Sequence, residues 1–292
     1  MLRLLLACAL GLLQAVPASG EELTGTLKKI KASGRVAIGY RDSSIPFSYL
    51  NARKQPIGYS IDLCLEIVDE AKDALGIEEV EIDFVPVTPE NRIDMVASGK
   101  VDLECGSTTN NLERQKRVAF SPVIFVSGTK LMVRRPVTIR SYMDLKGKTV
   151  AVTAGTTNQA ALKTLSDKRK LGMHFAVAKD HAQAFTLLEK SKADAFATDD
   201  VLLYGLIARS GRAREFQVIG EFLSYDPYGI MYRRNDPDFD AVVQEAFERL
   251  ATSRELEQTY NKWFLTKLPT GERLNLPMSA QLRSLFEVLG LP

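Results

Sequence analysis

From residue 35 to 265 the sequence alternates short apolar runs of strand character with longer stretches of helical period, and it completes this cycle twice. Alternation of that kind commits a chain to parallel α/β sheets, because parallel neighbours need a crossover long enough to hold a helix. The first cycle opens with a strand at 35–40 and a helix capped by Ser60, with Ile61, Cys64, Leu65, Val68 and Leu75 on its apolar face and Gly76 ending it. A strand over 80–84, a short helix over 91–97, a strand over 101–105 and a helix over 112–118 follow. Extended segments at 123–126 and 130–133 then cross Gly128. The second cycle begins after the linker-like Arg134, Arg135 and Pro136. Its strands fall at 149–152, 174–177, 194–197 and 217–219, with helices over 159–165, 183–190 and 201–208 between them. An extended run at 229–232 leads back. A helix entered through Asp236 and Pro237 and a final amphipathic segment close the pattern, with Trp263 and Phe264 as core anchors.

The chain therefore leaves one unit near Gly128 and returns to it near Tyr225. This predicts an α/β protein of two lobes, residues 19–127 with 226–292 forming the first and 128–225 the second. Each lobe is expected to be a mostly parallel sheet flanked by helices, the two joined by a two-stranded hinge with a ligand between them.

Ahead of this pattern, Arg3 leads into an apolar run over 4–13, followed by Val16, Pro17 and Ala18. The run is too short to span a bilayer and has the shape of a secretory signal peptide over 1–18, which predicts a mature chain starting near Ser19 and working in the periplasm. Cys8 does not fit a lipidation site, since only seven residues precede it and most of the apolar run follows it. Basic and acidic residues nearly balance, 38 against 36, with no basic block or aromatic stripe, so nucleic acid is not an expected partner. After processing only Cys64 and Cys105 remain, in no metal-binding spacing, so no metal or cofactor is expected. Whether the two pair is open, because an oxidising compartment permits a disulfide while a buried Cys is equally a small apolar filler.

Ligands of open α/β sheets bind beyond the carboxyl ends of the strands. The residues following the predicted strands are Arg41; Thr88, Asn91 and Arg92; Ser107, Thr108, Thr109 and nearby Arg114; Thr153, Thr156 and Thr157; Asp180 and His181; and Asp199 and Asp200. An acidic amino acid has two carboxylates and one ammonium, each of which needs a partner when buried. Arg114 and N–H groups near Ser107 and Thr156 suit one carboxylate, Asp199 with Ser107 suits the ammonium, and Arg41, Arg92 and His181 remain for the second carboxylate. This set carries excess positive charge, matching a ligand of net negative charge. Of the adjacent acids, Asp200 is expected to cap the following helix and Asp199 to face the ligand.

The runs RDSSIPFSY at 41–49, GYS at 58–60, NRI at 91–93, ECGSTTNNLERQ at 104–115, AGTT at 154–157, KDH at 179–181 and TDD at 198–200 resemble the periplasmic glutamate/aspartate-binding proteins of ABC transporters. Those are solute-binding proteins of family 3 with the type II periplasmic-binding-protein fold. The resemblance spans nearly the whole mature chain, and the CGSTTNNxER run is its most specific part. It implies that Arg114, Thr109 and Thr157 bind the α-carboxylate of L-glutamate or L-aspartate, that Asp199 and Ser107 bind the α-ammonium, and that Arg41, Arg92 and His181 hold the side-chain carboxylate. It also implies a membrane ABC permease as partner and a monomeric, non-catalytic protein. One departure is Pro89, where the family pattern often has Ser; a hydroxyl and an N–H donor are absent there, which bears on the glutamate-to-aspartate preference.

Two rivals share the architecture. A periplasmic lyase or dehydratase acting on a small carboxylate would need an uncommitted acid or base, and no such pair stands out. A ligand-presenting partner of a separate sensor would use the same recognition chemistry.

Overall fold

The computed structural model describes residues 23–292, and the expected signal peptide, 1–18, lies outside them. Two five-stranded sheets dominate, and their strand orders are equivalent. In the first, Glu81–Pro86, Arg35–Tyr40 and Leu103–Glu104 run parallel, followed by Met231–Arg233 and Val118–Phe120 in antiparallel pairing. In the second, His174–Ala178, Thr149–Thr153 and Ala195–Asp199 run parallel, followed by antiparallel Thr129–Arg134 and Phe216–Ile219. Parallel pairing thus holds for three strands of each sheet. The fourth is reversed because it arrives from the opposite lobe: Thr129–Arg134 enters directly after the first crossing and Met231–Arg233 directly after the return.

The crossings are Phe125–Ser127 and Asp226–Tyr228, paired antiparallel as a two-stranded hinge. Behind it lies an aromatic cluster. Phe125 stacks on Phe264 with ring centroids 5.0 Å apart, Phe47 meets Tyr228 edge-on at 5.1 Å, and Tyr260 stacks on Phe264 at 4.4 Å. Phe264 is fully buried and Trp263 nearly so, its Nε1 donating to Asp62 Oδ2 at 2.6 Å. Burying a ring of this size stabilises by about 1.5–3 kcal/mol, so the hinge rests on a rigid base. In the second lobe, alternation along the strands sends Leu131, Val133, Val150 and Val152 to one face and Met132, Ala151 and Phe196 to the other, which is why helices cover both.

Several local expectations need correction. The helix Tyr59–Leu75 starts ahead of Ser60, because Gly58 at φ +145° brings the chain in against the Phe47 carbonyl, where a Cβ would overlap. Ser60 is therefore inside the helix, and its Oγ donates to the Gly106 carbonyl at 2.8 Å instead of capping. The helix expected over 112–118 is a single turn, Leu112–Gln115, because the chain must extend at Val118–Phe120 to join the sheet. Helices Gly25–Ser33 and Ala280–Val288, the latter packing Leu282 and Phe286 on the first-lobe core, complete the chain. Cys64 and Cys105 form a disulfide with an S–S distance of 2.06 Å, joining the inner face of Tyr59–Leu75 to the end of strand Leu103–Glu104. No helix among the described residues is long and apolar enough to cross a membrane.

Candidate functional site

The carboxyl ends of both parallel strand triplets face one narrow cavity, lined by Arg41, Arg92, Ser107, Thr109, Thr156, Thr157, Asn158, His181, Asp199 and Leu202. From the first lobe, Arg41 follows its strand directly and its backbone N–H donates to Ser48 Oγ at 2.9 Å. Arg92 opens the helix Arg92–Ala97 after a turn closed by reciprocal bonds, Thr88 N–H to Asn91 Oδ1 at 2.8 Å and Asn91 N–H to Thr88 Oγ1 at 3.3 Å. Pro89 sits in that turn and does not line the cavity. Both arginines are 2% exposed. Arg92 Nη1 donates to Thr108 Oγ1, while its Nε and the Ser107 hydroxyl are buried without any protein partner. Burying polar groups in this way costs free energy unless something else bonds them.

Arg114 does not line the cavity. The Asn111 side chain accepts from the Arg114 N–H at 2.9 Å and starts the single helical turn, which folds the guanidinium inward so that Nη1 donates to the Thr109 carbonyl at 2.8 Å. It is 8% exposed, so the charged run 113–117 is not uniformly a solvent face.

From the second lobe, Gly155 at φ +71° turns the chain into the helix Thr157–Arg169, and Thr156 Oγ1 caps it by accepting from the Gln159 N–H at 3.2 Å. A Cβ on Gly155 would stand 3.0 Å from Glu90, so the glycine also lets the two lobes approach. Asp180 caps the helix His181–Glu189, placing His181 in its first turn with Nδ1 2.9 Å from Thr153 Oγ1. Asp199 ends its strand inside the site; Asn158 Nδ2 donates to its Oδ1 at 2.7 Å and the Tyr228 hydroxyl donates to Oδ2. Asp200 does not cap as expected: it is the first residue of the helix Asp200–Ser210, whose N-cap position is Asp199 because the strand runs straight into the helix. Its Oδ1 accepts from the Val201 N–H at 2.8 Å and from the Ser127 hydroxyl at 2.7 Å.

The lobes meet at hinge residue Asp226, whose Oδ1 accepts from both Thr109 Oγ1 and Thr157 Oγ1 at 3.0 Å. Each threonine hydroxyl has one proton to give, and in this state both are given to Asp226. The excess of positive charge expected from sequence is corrected by Asp226 and by Glu104, two buried carboxylates beside the three arginines.

Burial shifts the titrating groups. Arg41 is pushed down to about 9, by burial and then by Arg92, with Glu104 opposing; Arg114 is pushed down to about 10 by burial and Arg92. Both remain protonated at neutral pH. His181 is held well below its usual range by burial, Arg41 and Arg92, and is neutral there. Burial, and then the neighbouring Asp226, push Asp199 up to about 7, against the hydrogen bonds from Tyr228 and Asn158.

Sequence reasoning missed Asn158, Leu202, Tyr228, Asp226 and Glu104. Asn158 follows Thr157 in the helix start and was readable by extension of the same rule; the hinge and strand residues carried no such signal. Among the described residues no group of three or more His, Cys, Asp or Glu side chains could hold a metal ion.

Residues 36–266 match the family described as bacterial extracellular solute-binding proteins, family 3. The sequence is 45% identical to the L-glutamate/L-aspartate-binding protein of Pseudomonas aeruginosa, covering 94% of this chain and 91% of that one. It is 40% identical to the glutamate/aspartate import solute-binding protein of Salmonella typhimurium, covering 93% and 89%. Among solved structures, a mutant of ArgBP from T. maritima is similar with a TM-score of 0.73 at 26% identity, covering 82% of this chain and 99% of that one.

Proposed function

This chain belongs to the bacterial extracellular solute-binding proteins of family 3, and from that premise we propose that it captures L-glutamate or L-aspartate between its lobes and delivers it to an ABC-type amino-acid permease. It does so as a periplasmic monomer, exported by the segment 1–18. The observation that carries the reading is the charge layout of the cavity: the buried guanidiniums of Arg41 and Arg92 from one lobe face the buried carboxylate of Asp199 from the other, with Arg92 Nε and Ser107 Oγ awaiting partners.

The ammonium goes to Asp199, aided by the Ser107 hydroxyl. The α-carboxylate lies against the N–H groups of Thr109 and Thr157, where the helix Thr157–Arg169 begins, with Arg114 supplying the charge behind them. The side-chain carboxylate is taken by Arg41, Arg92 and His181, the neutral imidazole offering one N–H. Because these groups come from both lobes, the ligand's full set of partners exists only when the cleft is closed, so binding favours closure by the difference in contacts between open and closed forms. No catalytic step is part of this reading: Asp199 is held by Asn158 and Tyr228, and its remaining lone pairs receive the ligand ammonium.

Calorimetric titration with each of the common amino acids tests it. Tight binding is expected for glutamate or aspartate only, lost in both Arg114→Ala and Asp199→Ala; preference for a neutral or basic amino acid, or unchanged affinity in either variant, overturns it.

A further inference from the structure

Glu104 is fully buried and lines no part of the cavity, yet it is the carboxylate that pulls most strongly on both Arg41 and Arg92. Its Oε2 accepts from Thr108 Oγ1 at 2.6 Å, and that same hydroxyl accepts from Arg92 Nη1. Its Oε1 has no hydrogen bond and stands 3.9 Å from Arg92 Nη1. Residue 106 is glycine because a Cβ there would overlap Glu104 Oε1 and come within 3.0 Å of Arg41 Cγ, so the backbone makes room for acid and arginine together.

Two guanidiniums buried side by side repel each other, and each is unfavourable in a low dielectric without a counter-charge. His181 adds none, being neutral at this position. Asp180 is half-buried and Asp42 exposed, so water and salt screen their pull on Arg41. Asp226 bonds Thr109 and Thr157 on the hinge side of the site, and Arg114 and Asp199, which both reach Arg92, act on it with opposite signs and so offset one another.

We infer that Glu104 is a specificity-setting positioning residue: held through Thr108, it keeps Arg41 and Arg92 together and reduces the net charge of their end of the cavity to one positive unit, which a single ligand carboxylate neutralises. This rests on the reading that the ligand's side-chain carboxylate occupies that end. A neutral amide ligand leaves the unit uncompensated, and a site without Glu104 carries two. Glu104 therefore fixes how strongly a side-chain carboxylate is preferred over its amide, without touching either.

The test measures glutamate and glutamine affinities for the wild type, Glu104→Gln, Arg41→Met and the double variant. Glu104→Gln keeps the size and an acceptor for Thr108 but removes the charge. It should raise the preference for glutamate over glutamine by roughly tenfold. Arg41→Met, leaving one arginine against Glu104, should lower that preference by a similar factor, and the double variant should return it toward the wild-type value. The double variant should also melt above Glu104→Gln, since two unbalanced guanidiniums are no longer buried together. An unchanged or reduced preference in Glu104→Gln, or a double variant less selective than Arg41→Met, overturns the inference while leaving the functional reading intact. A wild type with no preference for glutamate overturns that reading, and the inference with it.

Discussion

Ligand affinity should fall as pH drops through neutrality, and Asp199 sets the slope. Its carboxyl is pushed up to about 7 by burial and by Asp226, whereas the ammonium it receives requires the ionised form. With the folded, ligand-free pKa raised, the competent fraction is nearly complete near pH 8 and about one tenth near pH 6. The apparent Kd should thus rise about tenfold over that interval, equivalent to about 1.4 kcal/mol, and about tenfold again near pH 5. The ligand's own side-chain carboxyl, with an ordinary value of about 4, stays largely ionised over that range. Because the bound ammonium lowers the pKa of Asp199, binding on the acid side of 7 should release a proton, visible as a buffer-dependent heat in calorimetry. Asp226→Asn removes the nearby negative charge, lowers the pKa of Asp199, and should move the whole profile to lower pH. A Kd near pH 6 within twofold of that near pH 8, with no proton released, would refute the reasoning.

Tyr228→Phe deletes the hydroxyl donating to Asp199 Oδ2; that bond holds the carboxyl down, so the pH profile should move up and the Kd at neutral pH weaken severalfold. Replacing Cys64 and Cys105 with Ala removes a cross-link across 41 residues. The chain-entropy model then gives a loss of about 4 kcal/mol in denaturant unfolding, and affinity should drop as well, because Cys105 anchors the strand end that leads to Ser107. Gly155→Ala places a side chain at φ +71° and 3.0 Å from Glu90 across the cleft; it should weaken ligand binding while costing stability only about 1–2 kcal/mol, as read by titration and thermal melting.

The strand-end rule made most of the site legible. Arg41, Arg92, Ser107, Thr109, Thr157, His181 and Asp199 were named from position alone and all line the cavity. Arg114 was named by the same route, yet it stands behind Thr109, which spacing along the chain could not distinguish. Glu104 was invisible to the rule because it lies within a strand, one layer below the loop the rule surveys. Tyr228 and Asp226 sit on a crossing segment that reads as linker, and only the pairing with Phe125–Ser127 brings them to the site. The disulfide and the helix Ala280–Val288 depended on which surfaces meet in three dimensions, and local period carries no information about that.

The exchange of the fourth strands has a bearing on how the protein is made. The second sheet is assembled entirely from residues 129–219, so it can form as soon as that stretch has emerged. The first cannot: Leu103–Glu104 has no neighbour on one side, and Val118–Phe120 has nothing to join, until Met231–Arg233 slides between them. Until then the N-terminal segment has unpaired backbone edges and an uncovered apolar face. A chain delivered N-terminus first therefore completes its second lobe before its first, and its opening hundred or so residues wait unfinished for strand partners from near the other end.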